Sequence, residues 1–70
     1  MEWIDTPQSS NVARFGYDES NQVLKVEFKN GAIYDYYHVP ENVFQGMTGA
    51  PSAGQYLAQN VKSRFRYART

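Results

Sequence analysis

Seventy residues with no cysteine make one domain without a disulfide framework, and a single histidine with no thiolate partners argues against a structural zinc site. The formal net charge is zero, yet residues 1–41 carry all seven acids and three bases, whereas residues 42–70 carry four bases and no acid. No apolar run approaches the ~20 residues that span a bilayer, and the first residues lack the basic and apolar stretches of a secretory signal, so a cytoplasmic protein without membrane or cofactor is expected.

A chain this short buries only about 60% of the surface it exposes when unfolded. The area has to come from large side chains, and eleven aromatics supply it: Trp3, Phe15, Tyr17, Phe28, Tyr34, Tyr36, Tyr37, Phe44, Tyr56, Phe65 and Tyr67.

Residues 1–11 are polar, with Pro7 and the cluster Ser9-Ser10-Asn11, and read as an irregular lead-in. Val12 to Tyr17 reads as a first strand, closed by the turn residues Asp18-Glu19-Ser20-Asn21. Val23 to Lys29 alternates cleanly: Leu24, Val26 and Phe28 share one face, Lys25, Glu27 and Lys29 the other.

Asn30-Gly31 then leads into Ala32 to Val39, a second β-branched and aromatic run, and the two form a hairpin. A two-residue turn would pair Phe28 with Ile33 and set Asp35 on the apolar face. A three-residue loop, Lys29-Asn30-Gly31 with Gly31 left-handed, instead pairs Lys25 with Asp35 and Val26 with Tyr34. An unpaired buried carboxylate costs several kcal/mol, whereas a cross-strand ion pair contributes about 0.2–1 kcal/mol, so the longer loop is expected.

Pro40 ends the strand and can open a helix in which Val43, Phe44 and Met47 share a face, kept short by Gly46 and Gly49. Ser52 caps a second helix, where Ala53, Leu57, Val61 and Phe65 recur every four residues and Lys62 and Arg64 fall late. The expected fold is α+β: a three-stranded antiparallel meander over 12–39, then two short helices packed on one sheet face and a tail over 40–67. Phe28 and Leu57 are both expected in its core.

No catalytic constellation stands out. His38 shares the face of Tyr34 and Tyr36 by alternation and is read as structural or partly exposed. The adjacent acids Asp18 and Glu19 are read as solvated turn residues. The stretch Gly46 to Gly54 lacks the Lys-Ser/Thr ending of a phosphate loop, although the backbone amides at Ser52–Gly54, at the start of the second helix, can meet a phosphate. Tyr34 and Tyr36 read as core, with stacking on a ligand as the alternative, and Tyr37 faces the other side as a contact candidate.

The run Ser9-Ser10-Asn11-Val12-Ala13, then Gly16-Tyr17-Asp18 and Leu24 to Gly31, resembles the KTSC family, named for the C-terminal domain of some lysyl-tRNA synthetases. Tyr34-Asp35-Tyr36 matches its Tyr-x-Tyr motif, and Val39-Pro40 and Ala50-Pro51-Ser52-x-Gly54-x-Tyr56 match the later part of the family pattern. The resemblance implies a compact domain, alone or appended to a synthetase, with RNA binding suggested by that fusion and no catalytic residue to map. Ala53 and Gln55 stand where family members often carry bases around Gly54.

The expected function is therefore a small non-catalytic module, monomeric or weakly dimeric, that binds RNA or another nucleic acid. Lys62, Arg64, Arg66 and Arg69 would meet phosphates, and Tyr37 or Tyr67 would stack on bases. The alternative is a protein-interaction domain that uses the charge asymmetry for docking. A basic tail folded against the acidic half would explain the asymmetry without any ligand.

Overall fold

A computed structural model describes residues 3–70. It contains five strands and two helices: β1 (Trp3–Asp5), β2 (Val12–Asp18), β3 (Val23–Phe28), β4 (Ile33–Tyr36), α1 (Glu41–Thr48), α2 (Ala53–Asn60) and β5 (Tyr67–Arg69). The strands form one antiparallel sheet in the order β1-β2-β3-β4-β5.

The α+β class holds, but the sheet has five strands rather than three. The lead-in is not wholly irregular: Trp3–Asp5 pairs with Arg14–Gly16, and the Arg14 guanidinium lies 4.2 Å above the Trp3 ring. Met1 and Glu2 of that lead-in lie outside the described residues. The tail is not a tail either, because Tyr67–Arg69 closes the other edge against Tyr34–Tyr36. Three-residue strands are too short to show alternation, and pairing with a longer neighbour is what forms them.

The β3–β4 hairpin adopts the longer loop. Gly31 is left-handed (φ 92°), its amide donates to the Phe28 carbonyl, and the Phe28 amide donates to the Ala32 carbonyl. Lys25 therefore stands opposite Asp35, with Nζ 2.8 Å from Oδ1. That oxygen is buried, and the Lys25 ammonium is the partner that compensates its charge. A register shift between Val12 and Arg14 bulges β2 at Ala13 and lets Val12 and Phe15, three residues apart, both reach the core.

Both helices lie on the face of Leu24, Val26 and Tyr36. Met47 from α1 and Ala53 and Leu57 from α2 join Val12, Phe15 and Val39 in one cluster. Phe44 meets Phe15 edge-on and stacks on Tyr17, whose hydroxyl donates to the Val39 carbonyl. Ser52 caps α2 by accepting from the Gln55 amide. Gly46 is needed for packing, because a β-carbon there would collide with the Tyr56 hydroxyl.

Lys62, Arg64 and His38 depart from their expected placement. Helix α2 stops at Asn60, so Lys62 and Arg64 follow it in turns rather than ending it. Val61 is still buried and Phe65 half-buried because these turns keep winding: the Arg64 and Phe65 amides donate to the Val61 carbonyl. His38 leaves the face of Tyr34 and Tyr36, since β4 ends at Tyr36 and His38 is exposed with φ 58°. The left-handed step turns Val39 inward, where it is fully buried. Among the described residues no helix is long and apolar enough to cross a membrane.

Candidate functional site

The helices are shorter than the sheet. Because α2 ends at Asn60, the β3–β4–β5 end of the inner face is only partly covered, and a groove of about 610 Å³ opens there. Its floor is aromatic: Phe28, Tyr34, Tyr36 and Tyr67. Its rim carries Lys29 from the hairpin loop, Lys62 from the turn after α2, and Arg69 from β5, with Ser10, Asn11 and Asn30 beside them. Among the described residues no carboxylate lines it.

Strand register sets this arrangement. Tyr67 stands opposite Tyr36 and Arg69 opposite Tyr34, and period-2 alternation puts all four side chains on one face. The rings form a continuous run: Phe28 meets Tyr34 edge-on at 5.4 Å, and Tyr34 stacks on Tyr67 at 5.4 Å with 27° between planes. Tyr36 closes the group at 5.6 Å from Tyr67. Lys62 Nζ lies 5.5 Å from the Phe28 ring centre, a cation over an aromatic face at the mouth of the groove. Lys29 is steadied by a hydrogen bond from Nζ to the Pro7 carbonyl, which leaves its charge uncompensated.

Burial pushes the Tyr36 phenol up to about 12, with smaller contributions from neighbouring Tyr34 and Tyr67. The neutral phenol is thus favoured in the folded protein. Its stability contribution is complete below the unfolded value of about 10 and is lost as pH rises from there through 12. Thermal melts between pH 8 and 12 should show a midpoint that begins to fall near pH 10, and Tyr36→Phe should lessen that fall.

The structure brings three of the six sequence candidates together: Lys62, Arg69 and Tyr67 all line the groove. Arg64 and Arg66 are exposed on the chain between α2 and β5 and do not line it. Tyr37 lies away from the groove, in a hollow on the outer sheet face with Asp18, Asn21, Val23, Lys25 and Asp35. The two carboxylates make that hollow a poor neighbour for phosphate. At the helix start the Asn11 carboxamide packs so close to Gly54 that a β-carbon there would collide with it.

Sequence reading missed Lys29 and Phe28 as groove residues. The hairpin loop it favoured carried the signal, since that loop brings Lys29 to the same sheet end as Phe28 and Tyr34. Among the described residues the basic segment makes no ion pair with the acidic half: the ion pairs are Arg14–Glu27 and Lys25–Asp35, and neither uses a cation beyond residue 60.

Comparison with known proteins gives a consistent picture. The KTSC domain model matches residues 8–65. A protein of Stutzerimonas stutzeri is 43% identical over 63 residues, covering 89% of each chain. A lysine–tRNA ligase of Nostoc punctiforme is 34% identical over 61 residues, which is 87% of this chain and 11% of the ligase. The chain thus spans only a small part of the ligases it matches. The crystal structure of a KTSC domain protein from Yersinia pestis superposes with a TM-score of 0.89 at 28% identity, covering 99% of this chain and 96% of that one.

Proposed function

The chain belongs to the KTSC domain family, and from that premise we propose that it is a small non-catalytic RNA-binding module whose contact surface is the groove beside β4 and β5. One observation carries the reading: Lys29, Lys62 and Arg69 converge on an aromatic floor, and no acid among the described residues joins the lining. Cations supply sequence-independent attraction to phosphates, and π-faces accept any base. The lysine–tRNA ligases among its relatives, by their name, act on a tRNA, which favours RNA over DNA.

A protein partner would be favoured by an apolar patch around Ile33 and Tyr37. That surface is broken by charge: Ile33 stands opposite Glu27, which pairs with Arg14, and Tyr37 shares its hollow with the Lys25–Asp35 pair. The groove is the stronger candidate.

Three cations neutralising three phosphates on a single strand give a slope of log affinity against log salt of about −2. Affinity is expected to be micromolar or weaker, because three charges on a neutral protein provide a modest field. A titration with a short unstructured RNA from low to moderate salt measures both. If low-salt RNA shifts no amide signal of Lys29, Lys62, Tyr67 or Arg69, the reading is wrong.

A further inference from the structure

Resting on that RNA reading, we propose that the groove selects unpaired RNA and that Tyr67 is the platform on which one base stacks. Tyr67 is 57% exposed, the most open large aromatic among the described residues, in a domain short of apolar area to bury. Its ring meets those of Tyr34 and Tyr36, at 5.4 and 5.6 Å between ring centres. More than half of the residue stays open to solvent where it lines the groove, so a base placed against the exposed ring would extend the run Phe28–Tyr34–Tyr67 by one more ring. Offset stacking at such spacing is the favoured arrangement of aromatic pairs.

The charges fit the same placement. Arg69 lies two residues from Tyr67 on one strand and therefore on the same face, while Lys62 guards the Phe28 end. A base seated on Tyr67 has cations on both flanks for its neighbouring phosphates. A duplex cannot use this site, because its bases are already stacked on one another. Modules that read double-stranded RNA span about 16 base pairs across successive grooves. Here the cations ring a single groove in a domain whose largest dimension is 28 Å.

The test compares three probes at equal low salt: an unstructured single-stranded RNA, a hairpin duplex of the same composition, and inorganic polyphosphate. The single strand is expected to bind at least about tenfold tighter than either competitor. Tyr67→Ala should weaken single-strand binding roughly five- to 150-fold, the range for losing one base stack, and leave the salt slope unchanged. Tyr67→Phe should restore affinity, since it keeps the ring. Equal or tighter binding of the duplex or of polyphosphate would overturn the proposal while leaving a phosphate-binding groove in place. An unaffected Tyr67→Ala would overturn the stacking role. Failure of all three probes to bind would remove the RNA reading itself.

Discussion

Leu57→Ala should lower stability by about 2–5 kcal/mol, whereas Phe28→Ala should cost only about 1–2 kcal/mol. Leu57 is fully buried between α2 and the sheet, packed in the cluster of Val26, Tyr36 and Met47. Removing its three terminal carbons leaves a cavity that neighbours on two rigid layers cannot close. Phe28 is only half-buried, with the groove on one side, so a smaller part of its ring returns to water. A domain of this size has roughly 4–10 kcal/mol in total, so the first change removes a large share of it. Thermal or urea melts of the two variants check the contrast. If they lose equal stability, Phe28 belongs to the core and the groove is shallower than described.

That contrast shows where the sequence was legible and where it stopped being so. The β3–β4 pairing could be read because Lys25, Glu27 and Asp35 leave one register free of an unpaired buried carboxylate. The helices could be read from the spacing of Val43, Phe44 and Met47 and of Ala53 and Leu57. The edge strands could not be read, since Trp3–Asp5 and Tyr67–Arg69 acquire their conformation only by bonding to longer neighbours. Strand β2 blurs its own alternation through the bulge at Ala13. Helix α2 shows the opposite limit. Its four-residue period persists through Val61 and Phe65 after the helix has ended, because the subsequent turns keep the same handed path.

The groove is a consequence of that early helix end. From the sequence Tyr34 and Tyr36 read as core, with ligand stacking as the alternative, and in the structure they divide the two roles. Tyr36 is 2% exposed and closes the core. Tyr34 is half-buried and carries Tyr67, so the Tyr-x-Tyr motif joins the core to the open surface. Charge counting along the chain grouped Lys62, Arg64, Arg66 and Arg69 because they are close in sequence. The sheet separates them: alternation aims Arg69 at the groove, and Lys29 arrives from a loop more than thirty residues earlier.

The second large effect arises from that separation. The double variant Lys62→Glu/Arg69→Glu is expected to abolish measurable RNA binding, while Arg64→Glu/Arg66→Glu retains most of it. Both pairs change two cations to anions, so the net charge of the protein falls by the same amount and long-range repulsion of RNA is matched. What differs is distance from the groove. A unit charge about 4 Å from a phosphate contributes about 1 kcal/mol even at the dielectric constant of water, and reversing its sign doubles the change. Two such reversals come to about 4 kcal/mol at low salt, roughly a thousandfold in affinity, which takes a micromolar complex out of range. Arg64 and Arg66 act across intervening solvent and should cost tenfold or less, an effect that fades as salt shortens the screening length below about 10 Å. Lys62 and Arg69 have exposed side chains with no ion-pair partner among the described residues, so both double variants should melt close to the parent protein. Titrating the same single-stranded RNA against both, at two salt concentrations, gives the answer. Equal losses for the two pairs would mean that net charge alone governs binding and that the aromatic groove is not the contact surface.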